Sequence, residues 1–157
     1  MHPLSDLERL APLCEARRLS LQVDKTARFG PDPRQGGTPE FSLKRLADFT
    51  ELEELDLEGH RVIDLSPIGR LANLRVLNLD RTAVTNLEPL RSLPRLSELS
   101  IYGTGVEDIR PLHDCPRLTT LTVGRAYLSN VEIDALTKAS PGCWVKRPMK
   151  KASTNGW

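Results

Sequence analysis

Residues 52–73 read LEELDLEGHRVIDLSPIGRLAN, and the next two stretches, LRVLNLDRTAVTNLEPLRSLPR (74–95) and LSELSIYGTGVEDIRPLHDCPR (96–117), repeat its pattern. Leu52, Leu74, Leu96 and Leu118 stand 22 residues apart (74 − 52), as do Leu55, Leu77, Leu99 and Leu121, and Leu57, Leu79, Ile101 and Val123. The same beat runs through Leu65, Leu87 and Ile109, through Ile68, Leu90 and Leu112, and through Leu71, Leu93 and Cys115. Pro67, Pro89 and Pro111 mark one position of each unit. Self-similarity at a short fixed period is the sequence signature of stacked coils.

Each unit splits into two halves. In the first, Leu55-x-Leu57 alternates, so both side chains point to one face of a strand. Successive strands then stack as a parallel sheet with these leucines inside. In the second, Leu65, Ile68 and Leu71 are spaced by three, which predicts a 3₁₀ or short irregular turn rather than a long helix. The prolines agree, since proline is tolerated only in a first helical turn.

Working outward, Leu43, Leu46 and Phe49 continue the return-path pattern. Leu4, Leu7, Leu10 and Leu13 predict a short amphipathic element over 3–14 that closes the N-terminal end, with Ser5 and Asp6 able to cap it. Leu19-Ser20-Leu21-Gln22-Val23 alternates like a strand and takes the place of Leu55-Asp56-Leu57. Ala16 and Leu52 are 36 residues apart (52 − 16), an excess of 14 over one period. That excess falls in residues 25–40, KTARFGPDPRQGGTPE, a loop by its prolines and glycines. Two readings of it stand: a tolerated insertion with Phe29 tucked on the core, or a contact loop with Arg28 and Phe29 at its tip.

Beyond Leu128 the beat stops. Ser129 or Asn130 predicts a helix start, with Val131, Ile133, Leu136 and Ala139 near one face and Ser140-Pro141-Gly142 as its end. Cys143-Trp144-Val145 predicts a last strand, and KRPMKKASTNGW (146–157) a polar tail that is largely disordered.

The chain has 157 residues, 27% charged, with a formal net charge of +1 and only 4% aromatic residues. Such a balance argues against a global commitment to DNA, RNA or a membrane surface, and so few aromatics against a base-stacking platform. Asp6 and Glu8 interrupt the apolar run that a signal peptide requires, and nothing approaches a bilayer span. Cys14, Cys115 and Cys143 form no CxxC pair and read as reduced thiols of a cytoplasmic protein.

No catalytic constellation emerges, and no metal or cofactor is implied. His2, His60 and His113 lie in unrelated places. His113-Asp114-Cys115 suggests a thiol and its base, but Cys115 occupies a core position of the repeat, where a thiol is an inert small hydrophobe. The paired Cys/His spacing of a zinc site is absent.

The polar residues between the strand leucines align into rows. One holds Arg18, Glu54, Val76, Glu98 and Thr120; the next Ser20, Asp56, Asn78, Ser100 and Thr122; the third Gln22, Glu58, Asp80, Tyr102 and Gly124. Strands about 4.8 Å apart put neighbours in a row within reach of one partner. Glu54, Asp56, Glu58, Asp80 and Glu98 cluster with no basic residue among them. The face is either an ordinary solvated surface or an acidic patch for a basic protein segment, with Tyr102 as aromatic anchor and Asn78 and Glu98 alongside.

The three units resemble the leucine-rich repeats of 22 residues of the bacterial internalin-like type, over about residues 43–128. The resemblance implies an α/β leucine-rich repeat solenoid: a parallel sheet on the concave face, short 3₁₀ or irregular turns on the convex face, and a C-terminal helical cap. One domain over 1–147 is expected, with 1–24 as N-terminal cap and first strand, 25–40 as loop, 43–128 as repeats and 129–147 as cap; residues 148–157 form the tail. The family's usual asparagine, whose side chain bonds neighbouring loop backbone, is replaced by His60, Thr82, Thr104 and Ala126; threonine can still supply a hydroxyl and Ala126 cannot, so the ladder should be weakest at the last repeat. Such repeats imply non-catalytic protein binding through the concave face. For a small chain with an acidic face, that suggests an immunity or inhibitor protein for a basic toxin, monomeric when free, with no nucleic-acid or membrane partner. The alternative is the sensor or adaptor part of a larger bacterial signalling NTPase system, although no GxxxxGK[ST] motif is present.

Overall fold

The structure, a computed structural model, describes residues 17–20, 43, 46, 48–124 and 128–147. The expected element over 3–14, residues 21–23 of the first strand, the 25–40 loop with Arg28 and Phe29, Ala126 and the 148–157 tail lie outside these residues.

Six three-residue strands form one parallel sheet in sequence order: β1 (Arg18–Ser20), β2 (Glu54–Asp56), β3 (Val76–Asn78), β4 (Glu98–Ser100), β5 (Thr120–Thr122) and β6 (Trp144–Lys146). Leu19, Leu55, Leu77, Leu99, Leu121 and Val145 lie side by side in register. The predicted alternation holds. Leu55, Leu77, Leu99 and Leu121 are buried, while the residues flanking them in each strand face outward.

The spacing of three in the second half of each unit becomes a series of i→i−3 backbone bonds. Ile68, Leu71 and Leu74 donate to Leu65, Ile68 and Leu71, at 2.9 Å each. Leu90, Leu93 and Leu96 repeat this one coil on, and Leu112, Cys115 and Leu118 the next. Leu46, Phe49 and Leu52 do the same before the first full coil. The 3₁₀ turns Ile68–Arg70, Glu88–Ser92 and Arg110–Asp114 are the visible result. Every third side chain therefore points inward, and Leu65, Ile68, Leu71 and their counterparts are buried. Val62, Val84 and Val106 form another buried row. A single coil would leave these groups wet. Stacking removes them from water, at about 1.5–3 kcal/mol for each large aliphatic side chain.

A second periodic device opens each return path. The side-chain oxygens of Asp64, Asn86 and Asp108 accept the backbone N–H groups of Ser66, Glu88 and Arg110 at 2.8, 2.9 and 2.9 Å. These are Asx turns, with the side chain replacing a missing backbone partner.

Three expectations need correction. The Thr82 and Thr104 hydroxyls do not reach a neighbouring coil: they donate to Leu79 O and Ile101 O of their own, at 2.7 and 2.8 Å. Both hydroxyls are turned back onto carbonyls of their own coil, so at this position the backbone carries the ladder. Gly59, Arg81 and Gly103 donate to Asp80 O, Tyr102 O and Gly124 O at 2.8, 2.7 and 2.7 Å. All three have positive φ (75°, 57° and 71°), so Arg81 occupies a conformation that its neighbours assign to glycine.

The C-terminal helix α1 (Asn130–Ala139) starts at Ser129 with a reciprocal capping box to Glu132. It buries Ile133 and Leu136, but Val131 is 77% exposed and Ala139 is also exposed. Val131 lies about 200° around the helix from Ile133, which puts it on the solvent side. Finally, the last strand is Trp144–Lys146 rather than 143–145; Cys143 is buried beneath it.

Candidate functional site

The outward sheet residues are placed by register. Arg18, Glu54, Val76, Glu98, Thr120 and Trp144 form one row, and Ser20, Asp56, Asn78, Ser100, Thr122 and Lys146 the next. The first five members of each row were legible in the sequence. The sixth were not, because the stretch between Thr122 and Trp144 contains a helix and departs from the repeat length. Trp144 is 68% exposed, with the Lys146 ammonium 5.1 Å from its ring centroid. That separation permits a cation–π contact. The face thus runs from acidic side chains over β2–β4 to an exposed aromatic and a cation on β6. Glu58, Asp80, Tyr102 and Gly124 continue just past the strands, while Gln22 lies outside the described residues.

The acidic cluster is not free of bases, as the sequence suggested. Arg18 reaches Glu54 at 3.0 Å, and Arg81 leans over to Glu58 at 3.5 Å. Two other carboxylates are committed to the chain itself. Asp56 Oδ1 accepts from Glu58 N–H at 3.0 Å and Asn78 Oδ1 from Asp80 N–H at 3.0 Å. At the equivalent position Ser100 has no carbonyl to offer. Asp80 supplies one from the preceding coil, taking Ser100 Oγ–H at 2.5 Å and Tyr102 N–H at 2.9 Å. Ser20 Oγ likewise donates to Asp56 Oδ2 at 3.4 Å. Glu98 is exposed, and its carboxylate makes no ion pair or hydrogen bond among the described residues. So the five acids lie on one face, but two anchor backbone, two are ion-paired and one is fully available.

The His113-Asp114-Cys115 run is taken apart by the fold. His113 is exposed, Asp114 pairs with Arg91 at 3.0 Å, and the Cys115 Sγ lies inside, 3.4 Å from Leu90 O. Burial, with the Asp114 charge adding to it, pushes the Cys115 thiol from 9.0 up to about 11. It is neutral near pH 7 and inaccessible as a nucleophile. Burial also raises the Cys143 thiol. On the opposite, convex side Arg110 hydrogen-bonds Asp108 through its guanidinium and its N–H, holding that carboxyl at about 2. Among the described residues no three His, Cys, Asp or Glu gather to hold a metal ion, and no helix is long and apolar enough to cross a membrane.

No protein-family model and no curated protein matches the sequence. Solved structures do. Internalin C2 from Listeria monocytogenes is 28% identical over 73% of this chain and 52% of its own, with a TM-score of 0.61. A leucine-rich repeat protein of Leptospira interrogans is 22% identical over 65% of this chain and 27% of its own, with a TM-score of 0.60. The leucine-rich repeat domain of APL1B is 17% identical, covering 94% of this chain and 42% of its own, with a TM-score of 0.63. The chain spans about half the length of internalin C2 and less of the other two. A ladder of short parallel strands backed by 3₁₀ turns, together with these structural neighbours, shows that this chain has the leucine-rich repeat fold.

Proposed function

We propose that the chain is a non-catalytic protein-binding module that receives a basic segment of its partner across the outer sheet face. One observation carries this: Glu54, Asp56, Glu58, Asp80 and Glu98 all lie on that face over adjacent strands. A net excess of one charge sign on a surface steers and selects a complementary partner. Tyr102 and the exposed Trp144 are the aromatic anchors, the residue types that dominate binding energy at interfaces. An inhibitor of a basic toxin fits best, its carboxylates standing in for the phosphates that a cationic active site would hold. In this reading the protein acts in the cytoplasm, residues 1–147 form one domain, the chain is monomeric when free, and Arg28 and Phe29 are further candidate contacts.

The test must avoid Asp56 and Asp80, whose loss would damage the fold. The partner captured from host extract and identified by mass spectrometry is titrated calorimetrically against wild type and a Glu54→Lys/Glu58→Lys/Glu98→Lys variant. Wild-type binding should weaken with salt, and the variant should lose tenfold or more in affinity while melting as wild type does. Equal affinity of a folded variant would refute the proposal.

A further inference from the structure

Beyond the first full coil, the rim where the chain enters the strands carries the opposite charge. In the first full coil that rim has Glu51 and Glu53; the following coils have Asn73 and Arg75, then Arg95 and Ser97, then Arg117 and Thr119. Arg75, Arg95 and Arg117 line one open groove together with Ser97 and Thr119. Its floor is fixed. Ser97 N–H, Glu98 N–H and the Ser97 hydroxyl all donate to Arg75 O, at 2.8, 2.9 and 3.1 Å. Thr119 N–H, Thr120 N–H and the Thr119 hydroxyl do the same to Ser97 O, at 2.9, 3.0 and 3.1 Å. Arg95 is oriented by a bond from its Nη1 to Asn73 Oδ1 at 2.9 Å.

Among the described residues none of these three guanidiniums has a carboxylate partner, as is also true of Arg61, Arg70 and Arg147, whereas Arg17, Arg18, Arg81 and Arg110 each have one and Arg91 has two. The fold therefore gathers three exposed, unneutralised cations on a rigid floor, next to a face of the opposite sign. Guanidinium matches carboxylate as a planar fork, two parallel bonds at a time.

Arg75 and Arg117 stand two coils apart and two residues out of step, with backbones roughly 12 Å apart at about 4.8 Å per strand and 3.3 Å per residue. Carboxylates four residues apart on an extended peptide share one face and lie about 13 Å apart, which matches that spacing. A net charge of +1 gives little general attraction for nucleic acid, while a short acidic segment needs only these local cations. We infer that this groove binds a carboxylate-rich segment of a protein partner, a second contact of opposite sign to the one on the sheet face.

The test titrates a ten-residue glutamate peptide into the ¹⁵N-labelled protein and follows backbone amide shifts by NMR. Saturable shifts confined to Arg75, Arg95, Ser97, Arg117 and Thr119 are expected. An Arg75→Gln/Arg117→Gln variant should bind at least tenfold more weakly, and Arg91→Gln, outside the groove, as wild type does. An oligonucleotide of equal charge should bind no more tightly than the peptide. Absence of saturation, shifts scattered over the surface, wild-type affinity in the double variant, or tighter binding of the oligonucleotide would each overturn the inference. None of these residues enters the test of the sheet face, so either proposal can fail alone.

Discussion

Asp80 ties its coil to the next through two short hydrogen bonds, and removing it should cost more than removing any other acid of the sheet face. It accepts Ser100 Oγ–H at 2.5 Å and Tyr102 N–H at 2.9 Å, both from the next coil. A hydrogen bond to a charged group contributes about 1.5–3 kcal/mol net. Two such bonds set an upper bound, but the site is half-buried, so water recovers part of the loss. The Ser100 hydroxyl can rotate to solvent, whereas the Tyr102 N–H is fixed by backbone. We therefore expect Asp80→Ala to cost about 2 kcal/mol, a fall in Tm of roughly 4–8 °C for a chain of this size. Asp80→Asn keeps an Oδ1 acceptor and should cost about half as much. Glu98→Ala, with no bond to lose, should stay within about 0.5 kcal/mol. Urea unfolding at constant m-value measures all three. A double-mutant cycle with Ser100→Ala should return a coupling above about 0.5 kcal/mol. A loss below about 0.5 kcal/mol for Asp80→Ala, or zero coupling, would show that the carboxylate is merely solvated.

Arg81, at φ 57° where Gly59 and Gly103 hold the equivalent positions, should tolerate glycine. Strain of about 1–2 kcal/mol relieved is offset by greater freedom in the unfolded chain and by the weak exposed pair with Glu58. Thermal melting should show Arg81→Gly unchanged or up to about 1 kcal/mol more stable, and Arg81→Val less stable; the reverse order would refute the strain assignment. The raised Cys115 thiol makes a pH prediction. Its pKa goes from 9.0 up to about 11 on folding, so the folded state favours the protonated thiol. That stability is complete below pH 9 and lost as pH rises through about 11. Cys115→Ala should flatten the alkaline fall in Tm, and a thiol reagent at pH 8 should label Cys115 only as fast as the protein opens; immediate labelling would contradict burial.

The coil architecture was readable because burial repeats. Leu55, Leu77, Leu99 and Leu121 had to share an environment, and the register puts them side by side. The spacing Leu65-Ile68-Leu71 likewise specified a turn that closes every third residue, and the bonds Ile68 N–H to Leu65 O and Leu71 N–H to Ile68 O are that turn. Rows of polar residues followed from the same count. What the rows do was not readable. Glu54 and Asp56 look alike in sequence, yet one meets an arginine and the other closes an Asx turn. Val131 looked like a core residue because it is apolar, but the helix phase turned it outward.

By itself, then, the sequence determined the period, the inward set of aliphatic side chains, the parallel strands and the return path, because apolar burial depends on position within the coil and recurs with it. Only the tertiary structure decided which carboxylates are spent, how Arg75, Arg95 and Arg117 come to share one groove, and that Trp144 and Lys146 extend the outer face. A polar group's fate depends on the atom opposite it about 3 Å away. That atom comes from another coil, whose identity no repeat pattern along the chain specifies.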